Sequence, residues 1–331
     1  MLISKTPFRM SFFGGGTDVK EYYEQYGGAV LSTTFDKYCY VVMRYNPPFF
    51  EYSGKLSYSK TERFNNPEEI EHPVVREILK KYKLNDLEIT YNTDLPARSG
   101  LGSSSAFSVG LLNALHSMHG EFIDKMSLAE EAIHVERVLC KEAGGVQDQL
   151  ACSFGGFNKF TFNRDGFDVA PIIMTRERKD LLNDCLMLFF TGFVRYSAGI
   201  LEDQVKNTKN RTQQLGEMCK LVDEGVKILM SGRDINDFGR LLDYTWQLKK
   251  SLSSRISTSE LDTIYDKAKN AGALGGKVLG AGGGGFVLFF VRPDNRKKLI
   301  KALSPLIHVP FKFETGGTRV IYYKQEDRIE V

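Results

Sequence analysis

Apolar and polar positions alternate near the start of the chain, where Phe8, Met10 and Phe12 are interleaved with Arg9, Ser11 and Phe13. A period of two predicts a strand with one apolar face. It turns Arg9 away from the core side, toward whatever covers the other face. Residues 39–45 and 87–92 predict two more strands, and the proline- and charge-bearing stretch 46–73 between them reads as an excursion. From Ser103 to Met118 the residues favour a helix that Gly120 can stop. Ser127 and Glu130 form a capping box, predicting a second helix from Ser127 to about Glu142, ended by Gly144 and Gly145. Strands are predicted at 158–162 and 185–191. Beyond Thr191 the pattern becomes long, charged, amphipathic helices through about residue 271. A glycine cluster, the strand 286–291, a last helix and the strand 320–323 follow. This change of character places a domain boundary near residue 180, giving units 1–180 and 181–331.

Composition narrows the class. The chain has 331 residues, 42% hydrophobic and 26% charged, enough for one large or two ordinary globular domains. A net charge of +3, from 44 basic and 41 acidic residues, gives no electrostatic case for a nucleic-acid or membrane partner. No apolar run approaches the ~20 residues of a membrane span. The first ten residues lack the uninterrupted apolar stretch of a secretory leader. Five scattered cysteines without metal-ligand spacing read as buried free thiols in a reducing, cytoplasmic setting. The sequence leaves self-association into a homo-oligomer open.

Three glycine-rich stretches carry the candidate chemistry: GGGTD (14–18), SGLGSSSA (99–106) and GAGGGG (280–285). None is a Walker A loop, because Gly276 and Lys277 are followed by Val278 and the required first glycine is Ala271. Gly280, Gly282 and Gly285 satisfy G-x-G-x-x-G. A Rossmann fingerprint, however, follows a strand and opens a helix, and this one precedes a strand. A protein-kinase reading fails too, since Asp237-Phe238-Gly239 precedes the loop and no histidine is followed by arginine. The middle stretch is the strongest phosphate cradle. Pro96, Arg98, Ser99, Gly100, Leu101 and Gly102 lead into a helix that opens on Ser103, Ser104 and Ser105. Free N–H groups and a partial positive charge at a helix start attract anions, and glycines admit them closely. The alternative is a serine-capped helix with a flexible lead-in.

Two acids stand out. Glu136 lies in line with the stripe Leu128, Ala132, Val135 and Leu139, so it needs either an ion pair such as Arg137 or a metal. Asp148 sits among small and apolar residues just after a predicted helix end, as a local cap or as an acid in a confined site.

Taken in order, TPFRMSFFGGGTD (6–18), LPARSGLGSSSAF (95–107) and GGKVLGAGGGGFVLFF (275–290) resemble the GHMP kinases, named for galactokinase, homoserine kinase, mevalonate kinase and phosphomevalonate kinase. The second motif fits the pattern P-x-x-x-G-L-G-S-S-A, with Ser105 in place of alanine. The resemblance implies an α+β, two-domain fold, with an N-terminal domain like that of ribosomal protein S5 and a ferredoxin-like C-terminal domain. It also implies ATP-dependent phosphorylation of a small molecule. The second motif would wrap the ATP phosphates. Glu136 looks like a Mg²⁺ ligand shared with Ser104, Asp148 like the residue that accepts or orients the substrate hydroxyl proton, and Arg9 like the basic residue placed to stabilise transferring charge.

The resemblance also bears on the acceptor. Galactokinase-type enzymes read R-V-N-L-I-G-E-H-x-D where this chain reads R-M-S-F-F-G-G-G-T-D. Gly15 and Gly16 replace their acid and histidine, while Asp18 is retained. That form, with TGFVRYSAGIL (191–201), looks most like the kinases of D-glycero-D-manno-heptose 7-phosphate, which serve nucleotide-activated heptose synthesis for surface polysaccharide. L-Fucose kinases carry a related first motif. Gly15, Gly16, Thr17, Asp18, Gly282 and Gly283 are then candidates for the acceptor pocket. An acceptor phosphate would need a cationic clamp, for which Arg195 leads and Arg98, Lys37, Arg44 and Arg255 follow. An unphosphorylated-sugar kinase is the nearest rival. A catalytically silent sensor would require a damaged site, yet Arg9, Ser104, Glu136 and Asp148 are all in place.

Overall fold

In the computed structural model, which describes residues 1–97, 99–193, 199, 211–253 and 255–325, the alternating N-terminal run forms a long strand, β1 (Leu2–Phe13). Phe8, Met10 and Phe12 are fully buried, and Arg9 is buried as well, on the opposite face. The strands that follow are β2 (Gly28–Tyr45), β3 (Gly54–Ser57), β4 (Thr61–Phe64), β5 (Leu87–Thr93), β6 (Phe157–Asn163) and β7 (Gly166–Pro171). Then come β8 (Leu186–Phe190), β9 (Ala273–Val278), β10 (Phe286–Val291), β11 (Ile307–Val309), β12 (Phe313–Glu314) and β13 (Arg319–Tyr323). The larger sheet runs β13-β1-β2-β5-β3-β4, with β6, β7 and β12 joined through β2. The smaller is β11-β8-β10-β9.

Strand β2 is long enough to serve two partners. Its first half pairs with β6 and its second half with β5. Only the second half was expected, as 39–45. Residues 28–35 are buried without a break, so they carry no alternation to read. The excursion at 46–73 contains the hairpin β3–β4. The second expected helix starts at Lys125, not Ser127. Its cap is Asp124, whose carboxylate accepts from Met126 N and Ser127 N at 2.9 and 3.1 Å. The helix is α-helical to Ile133 and widens to a π-helical turn over His134–Leu139.

The expected boundary near residue 180 falls before β8, the first strand of the smaller sheet. The chain does not stay there: β12 and β13 return to pair with β2 and β1. Residues 313–323, beyond the boundary, are therefore built into the larger sheet. The hydroxyls of Thr6 and Thr318, 2.7 Å apart, reinforce that return.

The two sheets share one aromatic seam. Phe238, on the helix Asn236–Lys250, meets Phe12 and Phe13 edge-on, with ring centroids 5.2 and 5.0 Å away, and lies near Phe290 of β10. Phe238→Ala opens a cavity at this junction. It is expected to cost about 3–5 kcal/mol, read as a lower midpoint in chemical denaturation.

Candidate active site

Strand β1 delivers Arg9, and the helix Gln147–Phe154 delivers Asp148 in its first turn. The expected turn after a helix is thus the start of the next one. Arg9 Nε donates to Asp148 Oδ1 at 2.7 Å and Nη2 to Oδ2 at 2.8 Å, a fork matched to a carboxylate. Arg9 Nη1 donates to the Gly100 carbonyl at 2.7 Å, and Arg9 N to the Leu101 carbonyl at 3.1 Å. The glycine loop lies directly on this pair. A Cβ at Gly102 would stand 3.2 Å from Arg9 Cγ and 3.3 Å from Asp148 Oδ2. Gly102 also holds φ at +75°, a conformation natural to glycine, where it caps the helix Ser103–Met118. The N-terminus of that helix therefore opens beside the ion pair. Pro96 is exposed and Ser99 buried at the loop's edge.

Glu136 occupies the π-helical turn and is almost wholly buried. Such turns redirect a side chain out of α-helical register, and they recur at functional sites. Ser105 Oγ donates to Glu136 Oε2 at 3.0 Å and Gln149 Nε2 at 2.8 Å. Arg137 lies 3.4 Å from the same oxygen, so the ion-pair alternative is realised on that side. Oε1 is buried without a hydrogen-bond partner. Burial pushes the carboxyl up to about 7, against the opposing pull of Arg137. The serine at this carboxylate is Ser105. Ser104, expected here, is exposed, because successive residues of a helix point about 100° apart. Among the described residues no cluster of three or more His, Cys, Asp or Glu forms a metal cage. Magnesium in nucleotide sites is commonly held by one or two carboxylates plus substrate phosphates, so one orphaned buried carboxylate oxygen fits such an ion.

The first glycine stretch is a tight turn. A Cβ at Gly14 would fall 1.9 Å from the Ala29 carbonyl. Thr17 is structural: its buried hydroxyl shares its one proton between the carbonyls of Gly14 and Ala29, at 2.8 and 2.9 Å, and accepts from Ala29 N at 3.1 Å, so it is not available to an acceptor. Asp18 is buried, accepting from Gly16 N at 2.9 Å and Gln147 N at 3.3 Å. Burial raises its carboxyl above the ordinary range, and the nearby Asp148 charge adds to this, while the Gly16 bond opposes it. Gly15 has room, with Ser11 Oγ and Gln147 Nε2 each 3.7 Å from where its Cβ would stand.

The third stretch packs onto the second. A Cβ at Gly280 would lie 2.5 Å from Gly100 Cα, and one at Gly285 would lie 2.4 Å from the Ser99 carbonyl. Gly282 and Gly283 contact Ile256: Gly283 N donates to its carbonyl at 2.9 Å, and Gly282 abuts it. Of the clamp candidates, Arg98 and Arg195 lie outside the described residues. Lys37 is paired with Asp36 at 3.1 Å, and Arg44 with Glu88.

Residues 70–156 match the family described as GHMP kinases N terminal domain, and 224–305 match GHMP kinases C terminal. A D-glycero-alpha-D-manno-heptose 7-phosphate kinase of Campylobacter jejuni is 32% identical over 315 residues, covering 91% of this chain and 92% of its own. The chain belongs to the GHMP kinases. The crystal structure of a D-glycero-D-manno-heptose 1-phosphate kinase from Bacteroides thetaiotaomicron superposes with a TM-score of 0.79 at 26% identity, covering 98% of this chain and all of that one. An L-fucokinase/L-fucose-1-P guanylyltransferase of Bacteroides fragilis is 32% identical over 218 residues, 63% of this chain and 22% of that protein. This GHMP kinase is a phosphotransferase acting on a sugar hydroxyl, and kinases of the family use ATP as phosphate donor. Among its described residues no helix is long and apolar enough to cross a membrane.

Two lysines of the kinase escaped the sequence reading. Lys249 and Lys277 are both buried close to Arg9. Lys249 had a legible signal: it continues the stripe Phe238, Leu242, Thr245, Trp246 at helical spacing, which turns it inward. The neighbouring Lys250 obscures that signal, because two basic residues in the last turn of a helix are ordinary. Glycine also carries a test here. A Cβ at Gly145 would stand 1.8 Å from Asp18 Oδ2. Gly145→Ala is expected to displace that carboxylate and cost about 1–3 kcal/mol, seen as a lower melting temperature.

Proposed function

We propose that this kinase transfers the γ-phosphoryl group of ATP to the anomeric hydroxyl of D-glycero-D-manno-heptose 7-phosphate, giving the 1,7-bisphosphate for nucleotide-activated heptose and surface polysaccharide. The observation that carries phosphoryl transfer is the Arg9–Asp148 pair lying under Gly102, where a glycine loop and a helix N-terminus converge. Phosphoryl transfer needs chiefly positioning and charge compensation. Asp148 is fixed by Arg9 so that a free edge of its carboxylate accepts the acceptor hydroxyl proton. The hydroxyl oxygen then bonds to the γ-phosphorus as the bond to the β-phosphate bridging oxygen breaks, and ADP leaves. Arg9 uses three of its N–H groups on Asp148 and Gly100, which leaves others for the phosphoryl oxygens. Glu136 and Ser105 would hold Mg²⁺, which when bound supplies positive charge against the phosphate oxygens.

The acceptor rests on likeness to the Campylobacter protein and on the uncrowded Gly15. Asp18, held from two backbone N–H groups, is the residue we assign to an acceptor hydroxyl. The name of the Bacteroides structure supports a second reading, in which the acceptor carries its phosphate at position 1. Arg195 remains the proposed clamp for an acceptor phosphate. A panel of heptose 7-phosphate, heptose 1-phosphate, free heptose, L-fucose and N-acetylhexosamines, assayed for ADP release with ³¹P NMR of the product, decides among these. Turnover of the 7-phosphate with a new anomeric phosphate is expected. Preference for an unphosphorylated sugar sinks the assignment.

Two variants test the chemistry. Asp148→Asn is expected to lower kcat ~10²–10⁴-fold while the protein still binds ATP. Unchanged turnover removes Asp148 from its role. Glu136→Gln is expected to raise the Mg²⁺ concentration needed for half-maximal rate at least ~10-fold, and chelation of divalent ions should stop the wild-type reaction.

A further inference from the structure

Lys249 is a buried cation without a carboxylate at ion-pair distance among the described residues. Its ammonium donates to the Gly280 carbonyl. It is 6% exposed and senses the charges of Arg9, Asp18 and Asp148. A buried ammonium with only a neutral partner is costly, and such groups concentrate where charge is used. What it grips is informative. Gly280 packs on Gly100, whose own carbonyl accepts from Arg9 Nη1 at 2.7 Å. Two cations, one from β1 and one from the helix Asn236–Lys250, thus hold the same pair of touching glycines, each through a carbonyl oxygen.

We propose that Lys249 is a positioning residue for phosphoryl transfer: through the Gly280 carbonyl it fastens the 280–285 loop against the phosphate loop, and its charge offsets the two aspartates there. The geometry assigns this role independently of which sugar is bound, although it rests on the kinase reading above. Burial and the nearby Arg9 bring its ammonium down to about 8, so at neutral pH it still carries most of its charge. Lys277 cannot substitute. Its ammonium donates to the Phe12 carbonyl at 2.9 Å, and burial next to Lys249 and Arg9 holds it well below the ordinary lysine range.

The test uses Lys249→Met, which removes the charge while keeping an unbranched side chain of similar volume, and Lys249→Ala with and without propylammonium, with propanol as the neutral control. Each is assayed on whichever acceptor the wild-type kinase phosphorylates. Failure of the heptose assignment is then visible as a different wild-type acceptor and does not touch this test. The expected result is a fall in kcat of at least ~10-fold for both folded variants, a smaller change in acceptor KM, and partial rescue of Lys249→Ala by propylammonium alone. A folded Lys249→Met with kcat within threefold of wild type overturns the proposal. So does a loss that propylammonium does not relieve in folded Lys249→Ala. Should Lys249→Ala fail to fold, Lys249→Met alone decides.

Discussion

Three stretches of backbone must meet around one largely buried ion pair, and that constraint organises the molecule. Arg9 and Asp148 come from elements 139 positions apart, and the phosphate loop lies across them. Close packing leaves little room for a side chain at Gly100 or Gly102 of that loop. A Cβ on Gly100 would fall 2.3 Å from the Leu279 carbonyl, and one on Gly102 would crowd both members of the pair. Glycine in these loops is needed first for close approach, and only then for a positive φ. Desolvation raises the value of each charge contact inside, so the pair, the helix N-terminus and the neighbouring lysine act at close range in a poorly screened region.

Much of this was legible in the chain, for a definite reason. Period-two alternation in β1 pointed Arg9 away from the core side, and the helix Ser103–Met118 was read to its bounds because Gly102 and Gly120 punctuate it. Three glycine stretches in order pointed to the family. What stayed illegible depends on rotation and return. Ser105 rather than Ser104 reaches Glu136 because the helix phase is fixed by packing, not by the motif. Asp124 rather than Ser127 caps its helix, since its carboxylate, three residues earlier, takes the N–H groups of Met126 and Ser127. Gly282 and Gly283 belong to the right loop but turn toward Ile256, which no local pattern discloses. The pairing of β13 with β1 joins residues more than 300 positions apart, and short strands carry no signal for a partner so distant.

The π-helical turn at His134–Leu139 shows how local irregularity becomes chemistry. Continued as a regular α-helix, this segment would give Glu136 a different phase. The widened turn instead buries it beside Ser105 and Gln149, with one oxygen satisfied and one not. Arg137, next in sequence, partly compensates the charge and also donates to the Gly145 carbonyl. Glu136 is thereby linked to the turn that presses on Asp18. The candidate metal ligand and the candidate acceptor contact are coupled through one arginine and one glycine.

The C-terminal half contributes more than a cover. Its glycine loop is wedged between Ser99–Gly100 on one side and Ile256 on the other. Its helix Asn236–Lys250 carries Phe238 into the aromatic seam with β1 and Lys249 to the glycine contact. A shift of this helix would therefore move the seam and the loop together. The N-terminal half alone supplies the acid, the arginine and the phosphate loop. It does not supply the surface that keeps that loop in place, because Gly100 finds its packing partner in Gly280. The site is a junction, and its geometry is set by the packing of both halves on β1.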